Sequence, residues 1–140
     1  KIGSEHDPRV SRLAGKADRV LVDAPCSGLG TLRRNPDLKY RQSPESIAQL
    51  VRQQRSILQA ASALVAPGGR LVYATCSVLP EENERQVEEF LRDNPQFSLL
   101  NAGEILAVQK IPLDTGKYLQ LDSAAHQTDG FFAAVLQRED

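Results

Sequence analysis

Two short apolar runs, each breaking into a loop that carries a cysteine, and an amphipathic stretch between them constrain this chain more than any other feature. Arg19-Val20-Leu21-Val22-Asp23 is β-branched and continuous in its apolar centre, the pattern of a strand buried on both faces of a parallel sheet. It stops at Ala24-Pro25, because proline cannot donate to a ladder and restricts the residue before it. Gly28 and Gly30 then allow left-handed or closely approached backbone in the loop. A helix opens at Ser43-Pro44, an N-cap followed by a proline whose missing N–H costs nothing in the first turn. Ile47, Leu50, Val51, Ile57, Leu58, Ala61, Leu64 and Val65 recur at steps of three and four, opposite Gln49, Arg52, Gln53, Arg55 and Ser56. Pro67-Gly68-Gly69 is expected to end that helix, and Arg70-Leu71-Val72-Tyr73-Ala74-Thr75 repeats the strand pattern. Strand, helix, strand of this length is a βαβ unit, so the expected fold class is α/β.

The flanks carry weaker signals. Lys1 to Lys16 holds Gly3, Pro8 and Gly15 without a sustained period, which reads as a loop or the remains of a connection. Residues 1–17 are therefore expected to be a linker or remnant, and residues 18–140 the folded part. A second helix is expected from about Pro80 to Asp93, with Glu81, Glu82 and Glu84 favourable to its dipole and Val87, Phe90 and Leu91 facing inward. Asn94-Pro95 stops it. Phe97 to Leu100 is a candidate strand. Asn101 to Thr128 is interrupted by Gly103, Pro112 and Gly116 and receives no element. Gly130 to Leu136 has the aromatic and branched content of a last strand returning to the sheet.

Composition bounds what such a chain can do. Its 140 residues, 41% apolar and 25% charged, suffice for one packed domain and exclude disordered and disulfide-scaffold classes. With 17 cations against 18 carboxylates, no global field draws the chain to nucleic acid or membrane, so any polyanion site must be a local patch. No apolar run approaches the roughly 20 residues of a bilayer span, and the first residues lack a basic-then-apolar signal pattern. Cys26 and Cys76 form no CxxC pair, and His6 and His126 are the only other soft ligands, so no metal is expected.

Both cysteines fall just beyond the carboxyl ends of expected strands, the edge where ligands and catalytic loops gather in open parallel sheets. Adjacent strands would bring them within several ångströms. Such a pair can act as nucleophile and base, exchange disulfides, or simply fill apolar space. Asp23, at the last position of its strand, is either a loop cap or a functional carboxyl facing the cleft. Thr75-Cys76-Ser77 is flanked by polar groups, which argues for a reachable thiol. From Arg33 to Arg55 six cations, Arg33, Arg34, Lys39, Arg41, Arg52 and Arg55, meet only Asp37 and Glu45. This is a phosphate-binding patch or a solvated loop and helix face. Tyr40 is equally suited to stacking on a base or to the core.

Asp23-Ala24-Pro25-Cys26-Ser27-Gly28-Leu29-Gly30 together with Tyr73-Ala74-Thr75-Cys76-Ser77 resembles the RNA 5-methylcytosine methyltransferases of the NOL1/NOP2/Sun family. The likeness extends through Arg33-Arg34-Asn35-Pro36-Asp37-Leu38-Lys39, Val78-Leu79-Pro80-Glu81-Glu82-Asn83-Glu84 and Thr128-Asp129-Gly130-Phe131-Phe132. It is greatest with the bacterial branch that acts on small-subunit (16S) ribosomal RNA. The resemblance implies a Rossmann-like class I S-adenosylmethionine-dependent methyltransferase fold, a cytoplasmic location and RNA as partner. It implies Cys76 as the nucleophile that attacks cytosine C6, and Cys26 as the base that removes the C5 proton so that the thiol can leave. Asp23 matches the residue that hydrogen-bonds near cytosine N3. Asp23, which also lies near the cofactor in the family, and Pro25 are the expected cofactor contacts, and Arg33, Arg34 and Lys39 of the basic stretch are the expected RNA contacts. DNA cytosine methyltransferases place the nucleophile at a Pro-Cys motif, which here would select Cys26, so the Thr-Cys motif decides the order. The target base is expected to be turned out of any helix.

The departures from the family carry equal weight. The glycine-rich loop that holds the cofactor, and the acidic residue for its ribose, belong upstream of the matching region and have no counterpart here. Pro67-Gly68-Gly69 sits before the second strand and reads as a turn, not as that loop. The chain is therefore expected to be the carboxyl-terminal half of a catalytic domain, about four strands of a seven-stranded sheet. Alone it would bind cofactor weakly and turn over nothing, and the strand at Arg19 to Asp23 would expose an edge and an apolar face. Two other classes fit the same residues less fully: a noncatalytic RNA-binding module using the basic loop, and a thiol redox domain using both cysteines.

Overall fold

The structure, a computed structural model, describes residues 7–140, so the first six positions of the expected linker lie outside it. A helical turn, α1 (Pro8–Ser11), capped by the Asp7 side chain, interrupts what the sequence suggests is loop. A proline at its start and an aspartate before it are enough to nucleate one turn. Strand β1 (Ala17–Asp23) follows, then a 3-10 turn at Leu29–Thr31 and a short helix α2 (Leu38–Arg41). Helix α3 (Pro44–Ser62) starts where expected, with Ser43 Oγ accepting from Ser46 N at 3.1 Å and Pro44 in the first turn. Strand β2 (Val65–Thr75), helix α4 (Glu84–Asp93) and strand β3 (Phe97–Leu100) come next. Helix α5 (Ala102–Val108), strand β4 (Leu119–Leu121), helix α6 (Ser123–His126) and strand β5 (Phe131–Arg138) complete the chain.

Two boundaries differ from expectation for physical reasons. Helix α3 ends at Ser62, so Leu64 and Val65 leave the helical stripe and Val65 enters β2. Pro67-Gly68-Gly69 does not terminate the helix. It forms a bulge inside β2, whose pairing with β1 jumps from Ala17↔Val65 to Arg19↔Arg70, and Gly68 takes a left-handed φ of 70° there. Helix α4 begins at Glu84 because residues 80–83 form a turn, with Glu82 N donating to Leu79 O.

The sheet runs β1-β2-β5-β3, with β4 also on β5. β1 and β2 are parallel, and β5 is antiparallel to β2, β3 and β4. The expected parallel βαβ unit is present, with α3 packed on β1 and β2 and against α4. Leu58, Leu71, Tyr73, Val87, Phe90, Phe132 and Leu136 form the centre of the core. β1 pairs only with β2 among the described residues, and Leu21 on it is 70% exposed. The strand therefore presents an open edge and an apolar face, not burial on both sides.

Candidate active site

The parallel register sets the geometry of the site. Asp23 lies opposite Ala74, and Ala24 N donates to Ala74 O at 2.9 Å, so the two chains leave the sheet side by side. Three residues past Asp23 is Cys26 and two past Ala74 is Cys76, and their sulfurs stand 3.2 Å apart, both reduced and half-buried. Two glycines make this approach possible. Gly28 turns the first loop with a φ of 72°. Gly30 N donates to Cys76 O at 2.9 Å and Gly130 N to Gly30 O at 2.7 Å. A Cβ on Gly30 would sit 2.3 Å from Gly130 O and 2.7 Å from Cys76 O. The turn before β5 thus closes against both cysteine loops.

Burial pushes the Cys26 thiol up to about 12, with its hydrogen bond to Cys76 as the second cause. Cys26 therefore keeps its proton over the ordinary pH range, and either sulfur can donate across the contact. Tyr73 is fully buried below the loops and donates to Glu82 O at 2.7 Å. Its phenol is raised above the ordinary range by burial, then by the charges of Glu82 and Cys26.

A buried polar layer beneath the thiols is the part that the sequence reading missed. Glu82 is fully buried. Its Oε1 accepts from Ser27 N at 2.8 Å and Gln54 Nε2 at 2.9 Å, and its Oε2 from Ser27 Oγ at 2.5 Å and from Ser77 Oγ. Gln54 Nε2 also donates to Pro25 O at 2.9 Å, and Gln86 Nε2 donates to Gln54 Oε1 at 3.1 Å. Thr75 Oγ1 donates to Asn83 Oδ1, and Asn83 Nδ2 to Ser77 O at 2.9 Å. The acidic residues of 81–84 resemble a solvated helix start, which hid Glu82. Gln54 carried a legible signal: it occupies an apolar-stripe position, three residues after Val51 and four before Leu58.

The remaining expected site residues divide into three places. Asp23 and Pro25 are exposed and line a shallow groove of about 260 Å³ along β1, with Leu21, Ile57 and Leu64. Asp23 has no side-chain partner among the described residues, so its carboxylate is open to a ligand. Arg34 is exposed but pairs with Asp129, and Arg41 and Arg55 pair with Asp37 and Glu89. Arg33, Lys39 and Arg52 are exposed and lack an ionic partner among the described residues. Tyr40 is 81% exposed with Lys39 Nζ 4.8 Å from its ring centre, which removes it from the core. Between this basic segment and the thiol loops lies a cavity of about 920 Å³, lined by Leu29, Leu32, Ile47, Val51 and Leu79 with Lys39 and Arg52 beside them. Among the described residues no cluster of His, Cys, Asp and Glu could hold a metal ion, and no helix is long and apolar enough to cross a membrane.

Comparison with known proteins gives this geometry its setting. The family model described as 16S rRNA methyltransferase RsmB/F matches residues 4–137. A probable ribosomal RNA small subunit methyltransferase B of Synechocystis is 41% identical over 136 residues, 97% of this chain and 30% of that protein. The ribosomal RNA small subunit methyltransferase B of Sodalis glossinidius is 41% identical over 140 residues, again covering 30% of its length. The chain thus spans about a third of these relatives. Among solved structures, NSun6 from Pyrococcus horikoshii with SFG superposes with a TM-score of 0.71 at 28% identity, over 94% of this chain and 33% of that one. A methyltransferase homolog protein from the same organism superposes with a TM-score of 0.66 at 30% identity, over 86% of this chain and 39% of that one. The α/β sheet is accordingly that of the Rossmann-like methyltransferases, and the chain belongs to the 16S rRNA methyltransferase RsmB/F family.

Proposed function

We propose that this chain supplies the catalytic thiols for S-adenosylmethionine-dependent methylation of cytosine C5 in RNA, with small-subunit ribosomal RNA as substrate. The observation that carries the reading is the pair of sulfurs 3.2 Å apart at two adjacent strand ends. Cytosine C5 is a poor nucleophile until a thiolate adds to C6 and pushes electron density onto C5. Cys76, at the Thr-Cys motif, makes that S–C6 bond. S-adenosylmethionine supplies the methyl group that C5 then takes. Adduct formation consumes the Cys76 sulfur, which removes the hydrogen bond and charge that help keep Cys26 protonated. Cys26 then ionises more readily, passing its proton to solvent, and its thiolate takes the C5 proton as the S–C6 bond breaks and the ring double bond returns.

Asp23 is the residue of this chain suited to hold both partners. Its exposed carboxylate beside Pro25, without a partner among the described residues, fits one end of a cationic, hydroxyl-bearing cofactor, and its place at the strand end suits a hydrogen bond to the base. The solved relative with SFG, an S-adenosylmethionine analogue, supports that cofactor. Arg33 and Lys39, without ionic partners among the described residues, are the better phosphate contacts, whereas Arg34 must first give up Asp129. The binding-only and redox readings gain no support from the relatives.

RNA carrying tritium at cytosine C5 tests the reaction directly. With the protein expressed from its complete gene, tritium should enter water in step with methyl transfer to RNA. Methyl transfer without tritium release would place the methyl on another atom and end this reading.

A further inference from the structure

Glu82 is a carboxyl with no exposed surface, no cation beside it among the described residues, and four donors converging on it. Burying such a group is costly unless every lone pair is used, and an apolar side chain would fill the space more cheaply. Its partners explain its presence. Ser27 follows Cys26 and Ser77 follows Cys76, so the same carboxyl grips the residue after each thiol. Oε2 takes both serine hydroxyls, which themselves stand 3.2 Å apart. Oε1 takes Ser27 N and Gln54 Nε2, and Gln54 also fixes Pro25 O on the other side of Cys26. Tyr73 OH fixes the main chain of Glu82 to β2. Apart from Glu82, the loops are joined among the described residues through Gly30 N to Cys76 O, the contact between the two serine hydroxyls and the weak thiol contact.

We propose that Glu82 is a positioning residue for the two thiols: through Ser27 and Ser77 it holds Cys26 and Cys76 at the separation that lets one proton pass between them. Glu82 touches neither sulfur and takes no part in bond making. The claim rests on the methyltransferase reading only for its effect on turnover, since the juxtaposition of the thiols can be read without RNA. Glutamine at this position can keep the geometry. Its oxygen can accept from Ser27 N and Gln54, while its amide donates to the two hydroxyls, which rotate to accept. Leucine leaves those donors facing an apolar group.

Phenylarsine oxide reads the separation, because its trivalent arsenic forms two As–S bonds with two nearby thiols and releases one water. Titrated into the protein expressed from its complete gene, it should bridge Cys26 and Cys76 in the unaltered protein and in E82Q. In E82L the bridging affinity should fall at least about tenfold. Methyl transfer should follow, with kcat down about a hundredfold in E82L for a displacement near an ångström, KM for RNA within about threefold, and E82Q largely rescued. Should E82L not fold, S27A/S77A, which removes both hydroxyl ties and keeps Gln54, is predicted to show the same loss. Unchanged bridging and kcat in a folded E82L, or in S27A/S77A where that variant decides, overturns the proposal. So does an E82Q as impaired as E82L, since charge rather than position would then matter. An unaltered protein that bridges arsenic yet methylates no RNA refutes the methyltransferase reading and leaves the positioning claim to the arsenical results.

Discussion

Burial and the Cys76 sulfur 3.2 Å away both hold Cys26 in its protonated form, and the direction has a checkable consequence. Its folded value of about 12 lies above the 9.0 of a free thiol, so the folded state holds a proton that the unfolded chain releases. The stability this contributes is complete below about pH 9 and is lost as the pH rises through about 12. In Cys76→Ala the hydrogen bond and charge from Cys76 vanish while burial remains. The pH midpoint for alkylation of Cys26 should therefore fall, yet stay above that of an ordinary thiol. A midpoint that does not move would show that the pair shares nothing. At this scale the cysteines were legible because each follows a strand pattern. Glu82 was not, because an acid among Glu81, Asn83 and Glu84 looks solvated until the turn at residues 80–83 faces it inward.

At the scale of elements, the contact between the Gly30 loop, the Cys76 loop and the turn at Gly130 is set by backbone touching backbone. Gly30 has no left-handed φ to require glycine; what requires it is carbonyl oxygens at 2.3 and 2.7 Å from any added Cβ. Gly30→Ala should therefore destabilise the protein by about 1–3 kcal/mol and move Cys76 with it. Gly116→Ala, whose Cβ meets nothing within 4 Å, should change stability by no more than about 0.5 kcal/mol. Thermal or urea unfolding of the two variants checks the contrast, and equal losses would refute the crowding argument. Element types were readable where periodicity was strong, as in α3 and both strands of the βαβ unit. Boundaries slipped where glycine and proline had two meanings. Pro67-Gly68-Gly69 signals a turn in either case, and only pairing with Ala17 and Arg19 shows that it bulges from a strand. Residues 101–128 hold elements of three to seven residues, too short for a period to register.

Over the whole molecule, one parallel strand pair brings two separated loops to a single edge of the sheet, and β5 returns antiparallel to brace them. Among the described residues the lateral edge along β1 stays open, with Leu21 exposed and Asp23 without a side-chain partner beside the β1 groove. This division explains what the sequence could convey. The thiol side is built from motifs and strand ends that fall in order along the chain. The polar layer beneath it joins residues from α3, both cysteine loops and the turn before α4, which only the fold assembles. The central claim is that Cys76 attacks and Cys26 releases. A denaturing gel for covalent protein–RNA adducts tests it most directly, using the protein expressed from its complete gene with S-adenosylmethionine and RNA. Cys26→Ala should accumulate a trapped adduct and Cys76→Ala should form none; an adduct that accumulates in Cys76→Ala and is absent from Cys26→Ala would contradict the assignment.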